Sequence, residues 1–128
     1  MQNLTEASAK LLLDWLLRGS TPTRPSGCWV GLATGVPNSR FASELSGSNY
    51  ARQSVLFAEA ASPAGTASNQ AALRWGPFGS WATIQGLHVW DAASGGSMLW
   101  QGTLLVARTM VENDSFDVAA GGLNCGLS

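Results

Sequence analysis

Along residues 3–18, Leu4, Leu11, Leu12, Trp15 and Leu16 fall on one side of a helix with 3.6 residues per turn, and Leu13 and Leu17 widen the stripe. On the other side Glu6, Lys10, Asp14 and Arg18 recur every four residues with alternating sign. Neighbours in that row attract along one solvated face. Asn3 followed three residues later by Glu6 has the form of a capping box, and Gly19 stands just beyond Arg18. The pattern predicts one amphipathic α-helix over 3–18. Its apolar side docks either on its own domain, the commoner arrangement, or on a partner chain.

Beyond Pro22 and Pro25, which block helical continuation, the period changes to two. Residues 28–34 alternate Trp29, Gly31 and Ala33 against Cys28, Val30 and Leu32, and a polar arm follows from Gly35 to Asn49. Further strands are predicted over 50–58 and 71–75, separated by a Ser-, Pro- and Gly-rich stretch from 62 to 70. Between Ala82 and Val106, two alternating runs flank Asp91-Ala92-Ala93-Ser94-Gly95-Gly96-Ser97, a hairpin whose paired glycines can take positive φ. Its first strand sets Ile84, His88 and Trp90 on one side and Leu87 and Val89 on the other. A strand apolar on both faces is covered on both, by a second sheet and by the helix, a loop or a neighbouring subunit. Strands at 116–118 and 123–127 complete the series. The expected fold is mainly β: one domain over 1–128, an antiparallel β-sandwich of immunoglobulin-like or jelly-roll-like order, with one N-terminal amphipathic helix and strands and loops over 28–127.

Length and charge narrow the function. A 13.3 kDa chain buries roughly two-thirds of its unfolded surface, enough for one core without staples. Seven basic against eight acidic residues leave a net charge of −1, so no nucleic-acid or anionic-membrane footprint exists. Charged residues are only 12% of the chain, about half the usual share, and Ser, Thr, Gly, Ala, Asn and Gln cover the surface instead. Asp14 cuts the apolar run at 11–13, and no basic region precedes it, so neither a signal peptide nor a membrane span is expected. Cys28 and Cys125 stand at alternating strand positions and read as thiols serving as small hydrophobes.

Candidate chemistry is sparse. With one His and two widely separated Cys, no metal-ligand spacing exists. No G-x-S-x-G run is present, the acids are dispersed, and Gly95-Gly96 and Gly121-Gly122 lack the Lys and helix of a phosphate loop. His88 reads as a structural residue of the sheet. Catalytic, cofactor-binding and metal residues are accordingly expected to be none. Six Trp point first to core, then to subunit contact, then to a glycan-stacking platform, with Trp75, Phe78, Trp81 and Trp90 as the first suspects for contact.

Four blocks of the sequence resemble a family of small tailed-bacteriophage virion proteins, variously labelled head decoration (cement) or tail fibre proteins. They are the helix from Leu4 to Arg18, the segment Glu44-Leu45-Ser46-Gly47-Ser48-Asn49-Tyr50-Ala51-Arg52-Gln53, the hairpin from Asp91 to Gly102, and the tail from Asn113 to Leu123. The last departs from the family pattern at Asn113, where Gly is usual, and Leu87-His88-Val89-Trp90 stands where a Phe-rich strand is common. The resemblance implies a non-enzymatic virion structural protein, located on the capsid surface or tail and assembled in the bacterial host cytoplasm. Capsid decoration is the first expectation. A tail or tail-fibre component and a glycan-binding module are the alternatives. Expected partners are other copies of itself, with a trimer as the unit, and a phage major capsid or tail protein, without nucleic acid, membrane or cofactor. The residues expected at interfaces are Leu12, Trp15, Leu16, Phe41, Leu45, Tyr50, Arg52 and Trp81, from the helix, the 35–49 arm, the family's distinctive Tyr and Arg positions, and the aromatic region.

Overall fold

The alternating run Ala82–Trp90 turns through residues 91–97 and returns as Met98–Met110, and this long hairpin is the spine on which the other elements assemble. Asp91 closes the turn: its N–H donates to the Ser97 carbonyl at 3.1 Å, and its Oδ1 accepts from the Ser97 N–H at 2.7 Å. A computed structural model describes residues 3–22, 25–34, 43–47, 49–59 and 65–126. In chain order the elements are β1 (Asn3–Leu4), α1 (Glu6–Arg18), β2 (Cys28–Ala33), β3 (Gln53–Val55), β4 (Ala67–Ser68), β5 (Leu73–Trp75), β6 (Ala82–Trp90), β7 (Met98–Met110), β8 (Phe116–Val118) and β9 (Asn124–Cys125). Five of the strands form an antiparallel sheet in the order β1-β7-β6-β2-β3, and β4–β9 and β5–β8 form two antiparallel ribbons. The protein is mainly β with one helix, as the periodicities require. Among the described residues no helix is long and apolar enough to cross a membrane.

Period-two geometry decides which side chains meet. Val30 pairs with Val89 and Leu32 with Leu87, and these four buried residues share one face of the sheet. The ribbons contribute Leu73, Trp75, Phe116, Leu123 and Cys125 to the same core, with the Trp75 and Phe116 rings 5.9 Å apart. Burial of this apolar surface is the main force holding ribbons to sheet. Cys28 and Cys125 remain thiols, and burial pushes the Cys125 thiol up to about 11.

Ile84 departs from the expected alternation. It is fully buried in the core with Leu87 and Val89, rather than on the His88 side. The pairing shifts from Ile84↔Arg108 to Gly86↔Thr103, so Gln85 alone opposes residues 104–107. The extra residues lie on β7, and the irregularity in the pairing falls between Ile84 and Gly86. The helix also starts later than the capping-box pattern implies. Thr5, not Asn3, is its N-cap: the Thr5 side chain accepts from the Ser8 N–H, while Asn3 and Leu4 pair with Gln101 and Trp100 as strand β1. The competing principle is backbone satisfaction, since residues 3–4 find ladder partners that a helical turn would forgo. Gly19 ends the helix as expected, at φ +74°, a conformation that costs Gly no Cβ clash. The predicted 50–58 and 123–127 strands shorten to Gln53–Val55 and Asn124–Cys125.

Asn69 joins the two ribbons to each other. Fully buried, it donates from Nδ2 to the carbonyls of Ala71 (2.8 Å) and Ala119 (3.0 Å), and accepts at Oδ1 from the Leu123 N–H (2.9 Å). Three backbone groups that strand pairing leaves over are thereby satisfied by one side chain. Asn69→Ala strands all three, and urea unfolding is expected to show a loss of about 3–4 kcal/mol. Asn69→Asp is expected to be at least as damaging at neutral pH, because a carboxylate cannot donate to the Ala71 and Ala119 carbonyls.

Candidate interaction surface

The second face of the sheet is covered by a polar clamp. Gly31 pairs with His88 and Trp29 with Trp90, so these residues share the face opposite Val30 and Leu32. Across them lies the chain from Glu44 to Arg52. The Arg52 guanidinium forks onto Glu44, with Nε to Oε2 at 2.7 Å and Nη2 to Oε1 at 2.8 Å. Its remaining arm, Nη1, donates to the carbonyls of Ala92 and Gly95, each at 2.8 Å, and so holds the hairpin loop. The guanidinium carbon stands 3.8 Å from the Trp90 ring centroid. Trp90 in turn donates from Nε1 to His88 Nδ1 at 2.7 Å, with the two rings edge-on at 82°. Tyr50 donates to Glu44 Oε2 at 2.5 Å, and its oxygen accepts from the Leu32 N–H at 3.2 Å.

Gly31 makes room for this arrangement. A Cβ there would lie 2.5 Å from His88 Cε1 and 2.6 Å from the Tyr50 hydroxyl. The requirement is a close approach, since no positive φ is involved. Burial pushes the Glu44 carboxyl up, but the hydrogen bonds of Arg52 and Tyr50 outweigh it and leave it below the usual carboxylate range. Burial, reinforced by the Glu44 hydrogen bond, raises the Tyr50 phenol, and burial lowers His88 to about 4. Each group is driven away from neutrality, the opposite of what proton transfer at neutral pH asks. The hydrogen bonds of the cluster tie the Glu44–Arg52 segment and the 91–97 turn to this face of the sheet. Among the described residues no three His, Cys, Asp or Glu side chains converge as a metal site would require.

The helix presents a different surface. Thr5 fastens its start to β7, donating from its N–H to the Leu99 carbonyl (3.0 Å) and from Oγ1 to the Met98 carbonyl (2.8 Å). Ser8 is the only helical residue fully buried, and Leu11, Leu12, Leu13, Trp15, Leu16 and Leu17 all remain exposed, Leu16 at 71% and Leu17 at 74%. An apolar groove of about 400 Å³ runs beside it, lined by Leu11, Leu12, Trp15, Pro22, Pro25 and Trp100 among others. The expectation that the helix packs mainly on its own domain is thus not met. Among the described residues its hydrogen bonds to β7 come from Thr5, and Leu16 and Leu17 at its far end are largely in solvent. A second, more polar cavity of about 540 Å³ lies beside the bulged part of β7, lined by Leu104, Val106, Arg108, Ser115 and Asn124.

The residues expected at interfaces separate accordingly. Leu12, Trp15 and Leu16 are exposed together on α1, and Trp81 is exposed by itself at 74%. Tyr50 and Arg52 meet in the clamp, with the Arg52 side chain only 5% exposed. Leu45 is buried in the core, its N–H donating to the Leu32 carbonyl at 2.9 Å. Phe41, with residues 35–40, lies outside the described residues. Of the aromatic suspects, Trp75 on ribbon strand β5 and Phe78 just beyond it belong to the core, and the Trp90 ring lies under the Arg52 guanidinium. Glu44, His88 and Gly31 were not singled out as partners of Tyr50 and Arg52. The signal available was an isolated acid eight residues before an isolated Arg in an otherwise uncharged segment.

A family model described as Podophage GP4 fiber I protein gp80 matches residues 3–126. No curated protein matches the chain.

Two outcomes follow from the clamp. Arg52→Ala leaves Glu44 part-buried without its cation and frees the Ala92 and Gly95 carbonyls, at an expected cost of about 3 kcal/mol in urea unfolding, with faster amide exchange across residues 91–97. Arg52→Lys is expected not to rescue it, because an ammonium lacks the fork. For His88, the folded value of about 4 lies below the unfolded 6.5. Above pH 6.5 both states are neutral and stability is complete. As pH falls from about 6.5 to about 4, the unfolded chain takes up a proton that the folded chain refuses, and roughly 3 kcal/mol is lost before the curve levels. Glu44, lowered in the fold, adds a further loss through the carboxylate range. His88→Gln is expected to remove the upper part of this slope in urea titrations at pH 7, 5.5 and 4.

Proposed function

The chain belongs to the family of the podophage GP4 fiber I protein gp80, a family of phage virion structural proteins, and we propose that it serves as a non-catalytic structural subunit of a tail fibre. The observation that carries this reading is the helix α1, on which Leu11, Leu12, Leu13, Trp15, Leu16 and Leu17 are left exposed together. A monomer in free solution gains nothing from such a surface, whereas a subunit in an assembly gains burial at every joint. The low charge supports the same role, since a surface of Ser, Thr, Gly and Ala packs against neighbours with little desolvation cost. Repetition along a fibre lets modest contacts act together.

Capsid decoration remains the second reading, and low charge supports it equally, because a shell offers the same repetition. The family description favours the fibre. Gold-labelled antibody against this chain, applied to intact particles and viewed by electron microscopy, is expected to mark the tail. Label spread evenly over the head would replace the fibre reading with decoration, and particles without label would end both.

A further inference from the structure

The cavity beside β7 opens where that strand leaves the central ladder. Residues 104–107 face Gln85 alone, so backbone N–H and C=O groups of the excursion stand outside the pairing. The cavity floor comes from the core, through Leu87, Met110, Phe116 and Leu123, all buried. Its walls carry polar groups: Thr103 and Arg108 on β7, Ser115 just before β8, and Asn124 on β9. At about 540 Å³ it has the size of a small-molecule site, and an apolar floor under a few convergent polar groups is the form such sites take. We propose that this cavity binds a sugar acid, a saccharide unit carrying one carboxylate, with Arg108 holding the carboxylate; this goes beyond the structural role in the fibre and does not rest on it.

The charges on the lining select the anion. Two lining residues are charged, Arg108 and Asp117. Asp117 is already engaged by Arg74, whose Nε and Nη2 fork onto its carboxylate at 2.7 and 3.0 Å. Arg108 is exposed and makes no ion pair or hydrogen bond among the described residues. One guanidinium matches one carboxylate through a planar fork. A phosphate ester, with nearly two charges, calls for a second cation or a helix N-terminus, and neither lines the cavity. The neutral groups select the rest of the ligand. The Thr103 and Ser115 hydroxyls make no hydrogen bond among the described residues, and the Asn124 amide makes one long contact, to the Gly121 carbonyl at 3.4 Å. Hydroxyls and an amide both donate and accept, as the hydroxyls of a sugar do. The C–H face of a pyranose suits the apolar floor. A nucleobase would need an open aromatic ring to stack on, and Phe116, the ring on the lining, is only 7% exposed.

Titration of the isotope-labelled whole chain with disaccharides of glucuronic, galacturonic and mannuronic acid, followed by NMR, tests the site. The expected result is saturable binding of at least one of them with Kd below about 1 mM. Amide shifts are expected to be confined to residues 102–110, 115–117 and 122–124. Arg108→Gln is expected to weaken binding at least tenfold and to leave the thermal melt in place, because the side chain is exposed and unpaired among the described residues. Thr103→Val, which keeps the shape and removes the hydroxyl, is expected to weaken it severalfold. Cellobiose, a neutral disaccharide, is expected to bind at least tenfold more weakly than the acid. No binding of any of the acids, equal binding of cellobiose, or undiminished binding by Arg108→Gln overturns the proposal. Acetate producing the same shifts at the same concentrations overturns it in favour of a bare anion contact, and a Glu-rich peptide binding more tightly than every disaccharide overturns it in favour of a protein partner. None of these results depends on where antibody marks the particle, so the fibre reading stands or falls separately.

Discussion

The guanidinium of Arg52 is the point at which three separate stretches of chain become one surface. Its fork neutralises Glu44, its remaining arm gathers two carbonyls of the 91–97 turn, and its flat face rests on Trp90. No other side-chain type does all three, because the job needs a planar cation with donors on several edges. With Arg52 in place, Glu44 can accept from Tyr50, and Tyr50 can satisfy the Leu32 N–H at a point where the sheet is not otherwise closed. Low local polarity makes these bonds strong when complete and costly when broken.

The two faces of the sheet are therefore held by unlike forces. On one side, Val30, Leu32, Leu87 and Val89 are sealed by the ribbons, and the attraction is nondirectional burial. On the other, the contacts are directional and fix the arrangement of the chain rather than add bulk stability. Between them they account for the body and leave α1 as the surplus. A virion component is where such a surplus has a use, since its working state is the assembled one.

Much of this was legible in the sequence, and the exceptions have physical causes. Alternation located β2, β6 and β7, and Gly19 located the end of the helix, because those signals are local. The start of the helix was not local: Thr5 became the cap because Asn3 and Leu4 had strand partners nearly a hundred residues away. Ile84 was placed on the wrong face because a bulge leaves no mark in a hydrophobic pattern. Tyr50 and Arg52 were recognisable as distinctive, yet their partners were not, since a hydrogen-bond network depends on which strands become neighbours. Leu45, expected at an interface, is buried in the core of this chain, and Asn69 carries no sequence signal because an isolated Asn reads as a turn residue.

The bulge in the central hairpin has a bearing on how such a protein can diverge. Its ladder already accommodates residues 104–107 against Gln85 alone, with orderly pairing resumed on both sides. A residue gained or lost there changes the length of an excursion and leaves the flanking registers as they are. The exposed Val106 and the adjoining cavity stand on that excursion. Insertions and deletions on that excursion, and not only substitutions, can thus reshape the exterior without unzipping the hairpin.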